Sequence, residues 1–397
     1  MAENVKLRRA TRTIGLTIYS IFAVAISIFI ALFLFEHFFA SRLENRILGE
    51  VGGAPIRELE LYPFTGFHLR EHHHAKGNIE PGQPYKDFNI QSADLGFFGI
   101  QFSKIPKKKP NEYRIILIGG SGAQGWGART NKDMLETKIA YYLNDALSNC
   151  NTSVAVFNMA MGASITYQNY VALNLWGHRI EPDLILSYSG MNDYSIVTYD
   201  QFPTYYRFPE LLGVLEFHRA TYFPEGSLAD LLAKIYPNTM TKTRLGTIAK
   251  LPYGDFYRNE AARQYAGRMR RAGLIPADGA QPSEIFERVT HPLYIDALKS
   301  IKRDFEGIPM AVVFQASTSW EGENARLYDG WFSRIVPDLK GYKNDYWIFL
   351  DGHSFMRQHP DINTGMHLGN AGQDVLSRRI AEELLTHWRQ AKLPLCK

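Results

Sequence analysis

Beyond residue 110 the apolar positions alternate between continuous runs of strand length and stripes at helical spacing. RIILIG (114–119), VAVFNMAMG (154–162), PDLILSYSGMND (182–193), MAVVFQ (310–315) and DYWIFLD (345–351) each hold an uninterrupted apolar stretch. Such runs suit strands buried on both faces of a parallel sheet. Helical spacing starts from Asn131, recurs near 284–305 and 322–338, and returns in GNAGQDVLSRRIAEELL (369–385) as an amphipathic helix. Five strands alternating with helices predict an α/β fold, a three-layer α/β/α sandwich around a five-stranded parallel, flavodoxin-like sheet. The stretch 195–283 is too long for a simple connection and is expected to form a lid insertion beside the end of the third strand.

A different pattern opens the chain. Residues 13–35 form an uncharged apolar run of 23 residues; at 1.5 Å per residue a helix of that length reaches about 34 Å, enough for a hydrocarbon core of ~30 Å. A transmembrane anchor is therefore expected. A cleaved signal peptide is the competing reading, but Phe38, Phe39 and Ala40 do not make a small-x-small cleavage site. Lys6, Arg8, Arg9 and Arg12 crowd the amino side, whereas Glu36, Arg42, Glu44 and Arg46 mix signs on the other. This asymmetry predicts a cytoplasmic 1–12, a membrane-spanning 13–35 and an extracytoplasmic main domain, periplasmic in a bacterium. Residues 36–110, rich in Gly, Pro and Lys, are expected to wrap the domain that spans 111–397.

Composition narrows the function classes. A chain of 397 residues, 45% of them hydrophobic, can bury a substantial core, and its net charge of +4 is too mild to argue for nucleic acid. His68, His72, His73 and His74 in a polar stretch read as a solvated loop rather than a zinc site, so neither a metal nor a cofactor is expected. The only two cysteines, Cys150 and Cys396, follow helices that flank one face of such a sheet. A disulfide in an oxidising compartment and two unpaired thiols both remain open.

Four short stretches then fall at strand exits: GGSGAQGWG (119–127), NMAMG (158–162), GMND (190–193) and MHLGNAG (366–372). The carboxyl edge of a parallel sheet is where open α/β folds bind ligands. Ser121 offers a nucleophile, which at neutral pH needs a base and an oxyanion hole. Gly162 can present a bare backbone N–H, Asn192 a side-chain amide, and His367 an imidazole to act as general base.

With these blocks in this order the chain resembles the SGNH hydrolases, also called GDSL esterases, over roughly residues 110–195 and 345–390. The His-x4-Gly step from His367 to Gly372 belongs to the likeness. It implies Ser121 as nucleophile, the backbone of Ser121 and Gly162 with the Asn192 side chain as oxyanion hole, and His367 as base. YPFTGF (62–67) and FNIQSADLGFFG (88–99) look like the segment that precedes the catalytic domain in membrane-anchored members. Two positions depart from the family pattern. Gly120 replaces an aspartate that is not catalytic, a change that looks like the GGS form of anchored members. Thr364 occupies the place of the acid three residues before the histidine. Asp361, taken as the third catalytic member, or else Asp351 or Asn363, is then expected to reach Nδ1, unless the site works as a Ser–His dyad.

The expected function is a membrane-anchored, extracytoplasmic serine esterase or deacylase acting on O-acyl esters of cell-envelope glycans or lipids. The alternatives are an O-acyltransferase using the same site and a catalytically inactive SGNH-fold subunit that binds or assembles with a membrane-complex partner. Aromatics of the insertion, from Tyr194 through Tyr205 and Tyr206 to Tyr257, suit sugar rings or an acyl chain, or else form the lid's own small core.

Overall fold

A computed structural model of the chain describes residues 17, 19–24, 26–28, 30–31, 34, 59–62, 65–69, 71–72, 74–77, 88–162, 164–194, 286–315, 322–341, 347–359, 362 and 367–390. The chain divides into two units, Met1–Gly53 with Glu216–Tyr257, and Ala54–Leu215 with Arg258–Lys397. In the first unit the described positions between 17 and 34 are helical, and Ile21, Phe22 and Val24 stand 66%, 67% and 58% exposed. Among the described residues no helix is long and apolar enough to cross a membrane. Several positions of the 13–35 run, and the whole of the expected lid from 195 to 283, lie outside them.

The second unit holds the sheet. Two short antiparallel pairs come first, β1 (Leu59–Tyr62) with β2 (Gly66–Leu69) and β3 (His74–Gly77) with β4 (Phe88–Gln91). Neither pair was legible in the apolar pattern, because strands of four residues leave too short a run to show a period. Then follow β5 (Glu112–Gly119), α1 (Ser121–Gln124), α2 (Leu135–Ala146), β6 (Ser153–Asn158), α3 (Thr166–Trp176) and β7 (Leu184–Ser189). After the insertion come α4 (His291–Asp304), β8 (Met310–Phe314), α5 (Gly322–Gly341), β9 (Trp347–Leu350), α6 (Gly352–Arg357) and α7 (Asn370–Gln390). The strands β5 to β9 form one parallel sheet in the order β6-β5-β7-β8-β9, the five-stranded doubly wound arrangement expected from the pattern.

Strand alternation explains the layers. Ile115 and Leu117 of β5 pack on the side of α2 and α7, against Leu135, Ile139, Leu376 and Leu384. Ile116 and Ile118 face the other way, toward α3, α4 and α5, with Leu173, Leu298 and Trp331. All four β5 side chains are fully buried, each worth roughly 1.5–3 kcal/mol relative to exposure. Tyr194, expected at the root of the lid, instead stacks on Trp331 at 5.4 Å and belongs to this second core.

The wrapping segment is tied down by polar contacts. Gln168 Nε2 donates to the Thr65 carbonyl at 3.0 Å, and Asn89 N donates to the Arg129 carbonyl at 2.7 Å. Asn131 exchanges two bonds with the Gln91 backbone, each 2.8 Å. Cys150 is disulfide-bonded; Cys396, the chain's one other cysteine, lies outside the described residues.

Candidate active site

β5 runs buried to Gly119, and the chain turns at once into the single helical turn α1, which begins with Ser121. The Ser121 carbonyl accepts from the backbone N–H of Gly125 and Trp126 at 3.2 and 3.1 Å, so the loop folds back over the nucleophile. His367 reaches it from the loop before α7, with Nε2 2.8 Å from Ser121 Oγ, although the two residues stand 246 positions apart. His367 as a whole is 7% exposed.

What holds the histidine loop was not visible in the sequence. Gly127 has φ of +96°, and a Cβ there would meet the Leu368 carbonyl oxygen at 2.6 Å, so only glycine lets the two loops close on each other. Arg129 N donates to Asn370 Oδ1 at 2.9 Å across the same seam. Gln373, fully buried, donates through Nε2 to the Leu368 carbonyl at 3.2 Å. The Trp126 ring lies 5.8 Å from the His367 ring.

Gly162 and Asn192 converge on the same turn. Met161 N donates to the Gly119 carbonyl at 3.0 Å, which brings Gly162 beside the exit of β5. Asn192 is 8% exposed and donates through Nδ2 to the Ser164 carbonyl at 2.9 Å. An amide nitrogen carries two hydrogens, so a second one is left for a substrate oxygen. Asn192 Nδ2 also lies where a side chain at position 120 would go, 2.1 Å from the site of its Cβ, which gives a steric reason for a glycine at this position.

Ser164, Asn169 and Asp193 anchor this half of the site. Ser164 Oγ lies 3.0 Å from the Gly119 carbonyl, and Gly119 N donates to Asn169 Oδ1 at 3.3 Å. Asp193 accepts from the Thr166 backbone N–H and hydroxyl, both at 2.9 Å, which ties GMND to the start of α3; burial pushes its carboxyl up to about 6. The signal for these residues was a polar side chain inside a helix or loop that otherwise reads as buried.

Asp361, Asn363 and Thr364 lie outside the described residues. Asp351 caps α6, accepting from Ser354 N at 2.8 Å. His353, also missed, pairs with Asp329 at 2.9 Å between α6 and α5, and burial lowers its pKa. His72 is exposed and sits 3.3 Å from Asp94, while His74 is exposed and bonds Asn89. Among the described residues no group of three or more His, Cys, Asp or Glu side chains is placed to hold a metal.

Beneath the nucleophile turn lies a buried carboxyl. Asn158, at the end of β6, donates to the Ala123 carbonyl at 3.1 Å and to Glu136 Oε2 at 2.9 Å, and accepts from Ala160 N at 3.0 Å. Burial pushes Glu136 up from its ordinary 4.5 to about 8. A carboxyl whose folded pKa is raised contributes stability that is fully present below about 4.5 and lost as pH rises through about 8. Glu136→Gln keeps an acceptor for Asn158 and removes this slope. The variant is therefore expected to gain on the unsubstituted chain by on the order of a few kcal/mol across that window, read as the urea midpoint at pH 5, 6.5 and 8. A difference independent of pH would show that Glu136 is not held protonated.

Solved structures similar to this chain include a lipase/acylhydrolase from Enterococcus faecalis, 12% identical over 68% of this chain and 95% of its own, with a TM-score of 0.37. A GDSL-like lipase from Bacteroides thetaiotaomicron VPI-5482 is 9% identical over 72% of this chain and 94% of its own, TM-score 0.37. A two-domain esterase active on acetylated mannans is 9% identical over 71% of this chain and 50% of its own, TM-score 0.34. No protein-family model matches the chain, and no curated protein matches it in sequence.

Proposed function

We propose that this chain is a membrane-anchored, extracytoplasmic serine ester hydrolase of the SGNH type, acting on O-acyl esters of cell-envelope glycans or lipids. One observation carries the reading: Ser121 Oγ and His367 Nε2, from opposite ends of the sheet domain, meet at 2.8 Å on its carboxyl edge. In the proposed cycle His367 takes the Ser121 proton as Oγ attacks the ester carbonyl. The N–H groups of Ser121 and Gly162 and the Asn192 amide hold the oxyanion. The imidazolium then protonates the leaving alcohol, and water, deprotonated by the same imidazole, releases the acid from the acyl-enzyme. Asp361 is the carboxylate assigned to Nδ1 in this scheme.

The anchor rests on the uncharged run 13–35 and its basic amino flank. Exposed Ile21, Phe22 and Val24 on helical positions of that run support it, and the bonded state of Cys150 suits an oxidising compartment. The test needs no natural substrate. A serine-directed fluorophosphonate, followed by peptide mapping, is expected to label Ser121 stoichiometrically. Labelling elsewhere, or none, removes the mechanism.

A further inference from the structure

Trp126 has no part in the chemistry above, yet it stands beside the reacting groups. Its Cζ2 and Nε1 both lie 3.8 Å from where a Cβ on Gly162 would sit, and its ring centroid is 5.8 Å from that of His367. The indole N–H donates to Gln124 Oε1 at 2.7 Å. Ile90, Phe98, Ala128 and Met134 pack against the half-buried ring. The ring's one polar handle is thus used inside the protein. With that N–H engaged, the part of the half-buried ring left uncovered offers no donor, which suits a C–H face rather than an oxygen.

Its position selects which half of an ester it meets. In the tetrahedral intermediate one oxygen points to Gly162 and Asn192, the leaving oxygen points to His367, and the acyl group takes the remaining direction. A ring whose edge lies 3.8 Å from the position of a Gly162 Cβ and whose centroid is 5.8 Å from that of His367 borders the edge between those two oxygens, along which the alcohol departs. We infer that Trp126 is a specificity-determining residue, a fixed platform on which the alcohol half of the substrate stacks, and that this alcohol is a ring with an apolar C–H face, the chemistry of an O-acylated sugar. The inference rests on the ester-hydrolase reading and narrows its substrate class.

Three acetate esters with one acyl group and different alcohols test it: methyl 6-O-acetylglucoside, ethyl acetate and decyl acetate, each followed by acetate release. Trp126→Ala is expected to lower kcat/KM on the sugar ester about three- to tenfold, chiefly through KM. Ethyl acetate turnover and the rate of fluorophosphonate labelling should stay within about twofold, and Trp126→Phe should recover most of the loss. Equal losses on all three esters, with slowed labelling, would make Trp126 a mere prop for the histidine loop and overturn the inference. A loss confined to decyl acetate would overturn it in favour of a linear lipid alcohol. Unchanged sugar-ester kinetics with labelling intact would sink the platform alone, whereas an unsubstituted chain that takes no label at Ser121 fails at the earlier step.

Discussion

Ser121→Ala is expected to lower turnover of an acetyl ester by on the order of 10⁴- to 10⁶-fold, and His367→Ala by a similar factor. The reason is that neither group works alone: the hydroxyl is a poor nucleophile until an imidazole at hydrogen-bond distance takes its proton, and here that distance is 2.8 Å. The double variant should be scarcely slower than either single one, because the second substitution removes a partner that has already lost its function. What survives in all three is substrate binding and the oxyanion donors, so KM should change little. Stopped acetate release on purified protein reads the effect. Either single variant keeping turnover within tenfold of the unsubstituted chain would leave the 2.8 Å contact as a structural hydrogen bond and nothing more.

The sheet was legible because its strands are buried on both faces and so show as unbroken apolar runs, RIILIG above all. α3 was not, since Gln168 and Asn169 interrupt its apolar spacing; both are buried and spend their amides on hydrogen bonds to the backbone of Ile165 and Thr65. The same distinction runs through the site. Ser121 and His367 stood out because their chemistry is scarce and their loops rich in glycine. Glu136, Ser164 and Asn169 act through contacts between segments far apart in the chain, and a polar residue in a buried stretch marks such a position without naming its partner. Trp126 shows the limit from the other side: an aromatic in a glycine loop was visible, but its place beside Gly162 and His367 appears only in the folded chain. Asp351, one of three sequence candidates for the histidine's partner, caps a helix, a use open to any carboxylate directly before a helical turn, because the donor is the backbone N–H of residue 354.

Gly120→Ala should cost on the order of 10²- to 10³-fold in kcat with little change in KM, from a single added methyl group. Backbone strain is not the cause, because φ of −86° and ψ of −157° at this position suit alanine. The obstacle is Asn192, whose Nδ2 and Cγ lie 2.1 and 3.0 Å from the new Cβ. Asn192 must swing off the Ser164 carbonyl, and the oxyanion loses its side-chain donor while the serine and histidine stay in place. Asn192→Ala removes the same donor without crowding and should show a comparable loss in kcat. On that background the nearest remaining neighbour of the extra methyl is the Ser164 carbonyl oxygen at 3.5 Å, an ordinary contact, so Gly120→Ala should there add almost nothing, and the strain it brings alone, about 1–3 kcal/mol in the urea midpoint, should vanish as well. Additive losses in the double variant would mean that the two residues act separately, and a Gly120→Ala chain with full kcat would mean that the Asn192 amide makes no contact with the transition state.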